Sequence, residues 1–493
     1  MSFVPLFVDG QRRPSSTGAT FAVHNAFTKD VVGTVAAASL DDCVAAIEAA
    51  HKALPAWEAT SPLARMAIFM RASEIMESEA WRAKMYQAIT EETATATPWT
   101  AFNTFSAGWM TLATAAYANE LKGESFVSTV PGGHAVVQRR AQGVVYSMVP
   151  WNAPSPLTIR ATVLPAICGN TVLLRPSEFD PRTQSLLVEA FAEAGLPPGV
   201  INFIPMAPED TPTLTPAIIA HPLVRAVNFT GSTRIGKLVA LECAKQLKPC
   251  ILELGGKAPA VVLADADIEQ AARGLVAGGL MNTGQVCMST ERIIVEKPVL
   301  GPLVAALKRT VGLLQTGSPS EGHLSAVHTE ASAERVVSLL QDAKDAGADI
   351  VLGDVARKGA VVKPHLVVGV KRGMKLWEEE SFGPVLSVTV ADSADHAVDL
   401  ANDSECTLVS SLWTKDVHKA LNIARRIRAG STNINGMTIQ DEVGLGIGGL
   451  GGASGYGRFD VDHFTDKRIF TFHPVECVYP GFLPSAGEVR AKL

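Results

Sequence analysis

No stretch of the chain holds roughly 20 apolar residues, the length that crosses a bilayer, before Pro, Gly or a charge interrupts it. A membrane-spanning helix is therefore excluded. Long blocks of one charge are also missing: 43 Lys and Arg face 49 Asp and Glu, giving a net charge of −6, and basic residues cluster no further than pairs such as Arg139-Arg140. Phosphate backbones are held by clustered cations, so nucleic acid is not an expected partner. The seven cysteines form no Cys-x-x-Cys pair and are odd in number. That pattern suits reduced thiols rather than a disulfide framework or a zinc site, and no metal is expected. The opening residues, MSFVPLFVDGQRR, put acidic Asp9 early and the basic pair after the apolar stretch, the reverse of a secretory signal. A cytoplasmic location is expected. Ala491-Lys492-Leu493 resembles a Ser-Lys-Leu peroxisomal address, a minor alternative.

What the chain does have is length and apolar content. Its 493 residues suit roughly three folding units, and 47% hydrophobic residues against 19% charged supply sizeable cores. Between about 140 and 265, short β-branched runs at 143–149, 171–174, 201–204, 226–229, 251–254 and 260–263 alternate with helical segments near 157–167, 181–194 and 234–245. This rhythm predicts an α/β fold with a parallel sheet covered on both faces. Upstream, Ser39 caps an Ala-rich helix reaching about Ala53, before Pro55, and a longer helical stretch follows Pro62. Beyond 265 a second alternation starts, with helices near 268–281, 303–314 and 331–346 and strands near 293–296 and 386–390.

Two glycine motifs invite a nucleotide reading. Gly231 to Lys237 has the Gly-x4-Gly-Lys spacing of a P-loop, but the next residue is Leu238 where Mg²⁺ chemistry needs Ser or Thr. What survives is a strand, a glycine turn and a helix N-terminus, whose positive end can take a pyrophosphate; a glycine between strand and helix is more often just a turn. The glycine-rich tract 444–457 contains formal Gly-x-Gly-x-x-Gly matches but follows no strand and opens no helix, so it reads as a flexible surface or hinge loop.

Three distant segments each place a polar or reactive residue in a turn bounded by Gly or Pro: Pro150-Trp151-Asn152-Ala153-Pro154, Leu252-Glu253-Leu254-Gly255-Gly256-Lys257 and Gly284-Gln285-Val286-Cys287-Met288. With the Gly231-Ser232-Thr233 turn, Glu380-Ser381-Phe382-Gly383-Pro384 and Ser454-Gly455-Tyr456-Gly457-Arg458, they resemble, in order and spacing, the motifs of the aldehyde dehydrogenase superfamily. The resemblance implies a Rossmann-type NAD-binding domain (1–122 and 143–253), a second α/β catalytic domain (254–470), and a small β oligomerisation element from a hairpin near 123–142 and a C-terminal strand near 471–481 within 471–493. A homodimer or homotetramer is implied.

The chemistry explains the residue types. A thiolate attacks an aldehyde to make a tetrahedral carbon with a negative oxygen, which fixed donors must stabilise before oxidation leaves a thioester for water to hydrolyse. The resemblance assigns the sulfur to Cys287, the donors to Asn152 and the Cys287 N–H, and the general base to Glu253. A surface carboxylate is the bland reading of Glu253, but it sits in an apolar run where an idle charge is costly. Its presence favours hydrolysis to a free acid over transfer to coenzyme A.

For the cofactor, the resemblance places Ser232 and Gly231 at the pyrophosphate, Arg175, Ser177 and Glu178 around the adenine-side ribose, Glu380 at the nicotinamide-side ribose, and Trp151, Leu254 and Phe382 nearby. Arg175 stands where the family usually has Lys and could welcome the extra phosphate of NADP, which Glu178 would repel, so NAD is expected with NADP possible. The run Gly284–Glu291, with Ile434-Asn435-Gly436, resembles the salicylaldehyde and vanillin dehydrogenase branch. Trp99 and Arg160 match positions lining its aromatic pocket, where indole stacks on the ring and guanidinium bonds a phenolic oxygen. A core Trp99 and a solvated Arg160 are the bland readings. Where the family often has a proline, an aromatic residue and a lysine before Ser-Gly-x-Gly-Arg, this chain has mostly glycine, which questions the rigidity of that wall. A cysteine hydrolase using one of eleven histidines, a non-catalytic relative, and an enzyme for aliphatic aldehydes or semialdehydes remain as rivals.

Overall fold

The computed structural model describes residues 2–440, 442, 446 and 448–475. Five of the expected strands form a parallel run in the order Cys250–Glu253, Val224–Thr230, Val144–Met148, Thr171–Arg175 and Ile201–Phe203. An N-terminal hairpin, Leu6–Val8 with Gln11–Arg13, extends it antiparallel at the far edge. Alternate residues along each strand point to opposite faces. Val145, Val172, Leu174 and Ile251 enter a core under the helices Pro62–Glu77, Pro154–Ile167 and Pro181–Glu193. Tyr146, Leu173, Val227 and Leu252 enter another under Leu40–Ala59 and Thr233–Lys245. Both faces are covered, as an all-parallel core requires.

The chain then crosses at 254–257 into a second seven-stranded sheet, ordered Asp349–Leu352, His365–Val368, Val385–Ala391, Thr290–Glu296, Ala258–Val262, Val409–Trp413 and Ser431–Ile434. It is parallel except for its first strand. The expected hairpin forms as Glu124–Val127 and His134–Ala141. Its third strand differs from expectation: Thr465–Phe472 pairs with His134–Ala141 over eight residues, beginning upstream of 471. Residues 476–481 of the expected strand, like Cys477 and the Ala-Lys-Leu end, lie outside the described residues.

The first helix also departs from expectation, running from Leu40 to Ala59 through Pro55. An interior proline costs about 3 kcal/mol. The last turn of the helix is nonetheless anchored beyond it, because Trp57 is buried and its indole Nε1 donates to Ala166 O at 2.9 Å. Among the described residues no helix is long and apolar enough to cross a membrane. Replacing Trp57 with Phe leaves the Ala166 carbonyl without this donor. We expect a loss of about 1–3 kcal/mol, read as an earlier urea unfolding midpoint than wild type with enzyme activity per folded molecule unchanged.

Candidate active site

Glu253 ends the last parallel strand of the first sheet, and Cys287 sits in the turn leading into the strand Thr290–Glu296 of the second. The crossing between sheets therefore brings two segments 34 positions apart in sequence to one cavity. Cys287 is raised on a left-handed stretch: Asn282 (φ 50°), Thr283 (φ 58°) and Gly284 (φ 77°). Gly284 is required twice over, since a Cβ there would lie 2.0 Å from Gly383 O and φ is positive.

Asn152 holds this turn from the other side. Its side-chain Nδ2 donates to Gln285 O at 3.1 Å, and its own carbonyl accepts from Trp99 Nε1 at 2.8 Å and Asn282 Nδ2 at 3.1 Å. An amide has two N–H donors, so one is left for an oxygen at the sulfur. The Cys287 thiol is pushed up to about 12, first by burial, then by the Glu253 charge, against an opposing pull from Arg160. Burial lifts the packing thiols Cys43 and Cys168 to the same value. Ionising Cys287 therefore requires additional positive charge at the sulfur.

Glu253 is buried, and its Oε2 accepts from Arg160 Nη2 at 3.2 Å. The Arg160 guanidinium lies over the Phe459 ring, 4.3 Å from its centre. This modifies the expectation for Arg160: it lines the cavity, but its partner in the protein is the expected base. Trp99 is 4% exposed and stacked on Phe102 at 4.9 Å, so it is both a core residue and a cavity wall. The cavity of about 720 Å³ is walled by Trp99, Phe102, Leu157, Met288, Ile439 and Phe459, with Asn152, Glu253 and Cys287 in its lining.

A second buried ion pair escaped the sequence reading. Lys257 Nζ lies 2.6 Å from Glu291 Oε2, and the two side chains are 0% and 4% exposed. The other oxygen, Oε1, accepts from Ser381 N (2.9 Å), Ser381 Oγ (2.8 Å) and Phe382 N (3.2 Å). It thus fixes the loop that carries Glu380 and Phe382, the latter at φ 47°. Glu380 accepts from Gly256 N at 3.1 Å, and burial followed by the Glu291 charge raises its carboxyl to about 8. The signal was positional: Lys257 follows Glu253 by four residues and Glu291 follows Cys287 by four, both within segments already singled out.

The glycine-rich tract is also different from expectation. In its described part, backbone packs on backbone: Leu252 N donates to Tyr456 O at 2.8 Å, and Leu254 N to Ser454 O at 3.2 Å. A Cβ at Gly455 would fall 2.1 Å from Leu252 O, and one at Gly448 would fall 2.3 Å from Gly457 O. Here glycine gives close approach behind the Glu253 strand rather than a free surface loop.

The expected cofactor residues spread along the C-terminal edge of the first sheet. Ser232 caps the helix Thr233–Lys245, accepting from Ile235 N at 3.4 Å, and Gly231 N donates to Glu253 O at 3.0 Å. Leu254 is buried against Gly236, where a Cβ would lie 2.4 Å from it. Arg175 Nη2 donates to Glu178 Oε2 at 2.9 Å. Ser177 is 2% exposed and its hydroxyl accepts from Phe179 N, so it shapes the turn. Trp151 stacks on His328, centres 3.9 Å apart, while Phe179 meets that imidazole edge-on and Phe382 meets Trp151 edge-on. His328 was not anticipated. Both its ring nitrogens are buried without a hydrogen-bond partner, and burial lowers it to about 3.

The fold and this meeting of thiol, amide and carboxylate define an enzyme built for chemistry on a carbonyl. Residues 13–469 match the aldehyde dehydrogenase family; the chain belongs to that family and is an oxidoreductase acting on aldehydes. It is 40% identical to a vanillin dehydrogenase of a Pseudomonas species, over 97% of this chain and 100% of that one. It is 35% identical to a Pseudomonas putida salicylaldehyde dehydrogenase, over 96% and 99%. The crystal structure of a salicylaldehyde dehydrogenase from Pseudomonas putida G7 complexed with salicylaldehyde superposes with a TM-score of 0.94 at 34% identity, covering 98% of this chain and 100% of that one.

His328 makes the stack acid-sensitive. Its folded pKa of about 3 lies below the ordinary 6.5, so below pH 6.5 the unfolded chain takes a proton that the folded chain refuses. Stability is then lost as pH falls, by about 2 kcal/mol at pH 5. His328→Phe is expected to match wild type at pH 7 and to unfold at higher denaturant than wild type at pH 5.

Proposed function

We propose that the protein oxidises an aromatic, hydroxylated aldehyde to its carboxylic acid, using NAD and a thioester on Cys287. The observation that carries this reading is the convergence of Cys287, Asn152 and Glu253 in one apolar cavity with aromatic walls. The relatives that act on vanillin and salicylaldehyde support the substrate class. The residues present fit a dinucleotide. A capped helix N-terminus at Ser232 suits a pyrophosphate, Glu178 and Glu380 offer carboxylates to ribose hydroxyls, and Phe382 with Trp151 offers ring faces.

In this mechanism the Cys287 thiolate attacks the carbonyl carbon, and the free N–H of Asn152 with the Cys287 N–H meets the new oxyanion. When bound, the nicotinamide group supplies a two-electron acceptor and a positive charge. Once the carbon is oxidised, Glu253 takes a proton from water, the water attacks the thioester, and the acid leaves as the sulfur regains its proton. The buried, mostly apolar cavity strengthens each of these electrostatic contacts. The location is proposed to be cytoplasmic. Phe126, Val127, Ile469 and Phe472 stand exposed on the three-stranded sheet, which supports self-association as a homodimer or homotetramer.

NADH formation at 340 nm should appear with salicylaldehyde, vanillin and benzaldehyde. It should vanish in Cys287→Ala and fall about 10²–10³-fold in kcat in Asn152→Ala. Turnover confined to short aliphatic aldehydes would replace the substrate assignment, and no turnover with any aldehyde would overturn the reading. Arg175, the cation expected at the adenine-side ribose, is paired with Glu178. Glu178→Gln is therefore expected to raise the NADP-to-NAD ratio of kcat/KM at least about tenfold, and an unchanged ratio would remove Glu178 from cofactor choice.

A further inference from the structure

Arg160 stands on the helix Pro154–Ile167, in a run that is otherwise buried, and its guanidinium is a wall of the substrate cavity. It has five N–H donors. In the described structure one of them, on Nη2, meets Glu253, and Nε is buried without a partner. The Phe459 ring beneath it fixes the plane of the group at 4.3 Å. A cation in this position does two opposed things. It favours the Cys287 thiolate, which helps the first half of the reaction. By pairing with the Glu253 carboxylate it makes that group a weaker base, which slows the second half.

The conflict is relieved by a ligand that competes for the same guanidinium. Resting on the thioester reading above, we propose that a hydroxyl or phenolate oxygen on the substrate ring draws Arg160 away from Glu253, so that the hydroxylated acyl group releases the base that hydrolyses it. Arg160 is then a positioning residue for Glu253 as well as a specificity determinant. Planar guanidinium suits this exchange, because it can turn within its plane from one oxygen to the other while still stacked on Phe459. Cys287, Glu380 and Arg458 also stand near Glu253. The Cys287 thiol is acylated at this stage, Glu380 lies on the neighbouring loop, the Lys257–Glu291 pair joins two strands of the second sheet, and the stem of Arg458 lies with Glu253 Oε1 beside Gly448.

The test is thioester hydrolysis followed by single-turnover quenching against pH, with NAD-saturated enzyme acylated by benzaldehyde or by 2-, 3- and 4-hydroxybenzaldehyde. In wild type, the best hydroxylated acyl group should hydrolyse at least about tenfold faster at neutral pH than benzoyl. Its acid limb should lie about one pH unit higher, because the freed carboxylate binds its proton more tightly. In Arg160→Gln the benzoyl limb should move up to the hydroxylated position and the difference between substrates should close, whereas Arg160→Lys should keep part of the difference. Coincident limbs for benzoyl and all three hydroxybenzoyl groups in wild type overturn the proposal. So does an Arg160→Gln enzyme that slows every substrate by one common factor with its limb in place. If Arg160→Gln does not fold, the wild-type comparison decides alone. Failure of the thioester reading itself is distinct, since wild type would then form no acyl-enzyme from any of the four aldehydes.

Discussion

The buried pair of Lys257 and Glu291 is the tie on which the site depends. One partner lies four residues beyond the proposed base Glu253 and the other four residues beyond the proposed nucleophile Cys287, and their contact at 2.6 Å ties together the starts of two adjacent strands of the second sheet. A pair so deeply buried loses much of its Coulomb gain to desolvation, so its value lies in geometry more than in net stability. The second oxygen of Glu291 spends its remaining capacity on Ser381 and Phe382, which brings the third segment of the site into register. Removing one partner would leave a bare charge in the interior, at a cost of about 3–5 kcal/mol. That cost explains why the two residues act as a unit.

Above this frame the electrostatics are set by exclusion of water. The same burial that lifts Cys287 to about 12 lifts Glu380 to about 8, so burial favours neutral groups here. Arg160 is a permanent cation kept among apolar walls by a carboxylate on one side and an aromatic face on the other. In the proposed mechanism the thiol is ionised first and the carboxylate is freed later. A single guanidinium serving both groups can satisfy the two demands in turn only if something moves between the steps.

Much of this was legible in the sequence, for identifiable reasons. The parallel strands announced themselves as β-branched runs, and Asn152, Glu253 and Cys287 stood in turns whose glycines and prolines mark special backbone. Pro55 misled because a local rule ends a helix there, while the burial of Trp57 is a tertiary fact. The glycine tract misled in the opposite sense: glycine spacing signals freedom in a loop and close packing against a strand alike, and only the Leu252 and Leu254 hydrogen bonds separate the two. Arg160 was legible as a cavity residue but not as the partner of Glu253, since nothing in a sequence joins positions 93 apart.

The central claim is that an aldehyde is oxidised while covalently held on Cys287 and is released by Glu253. Mass spectrometry of a Glu253→Gln enzyme mixed with NAD and 4-hydroxybenzaldehyde tests it most directly. The account predicts one equivalent of NADH formed in a burst, a mass increase equal to the hydroxybenzoyl group, and its location on the peptide carrying Cys287. Steady turnover with no adduct, or an adduct on another residue, would contradict it.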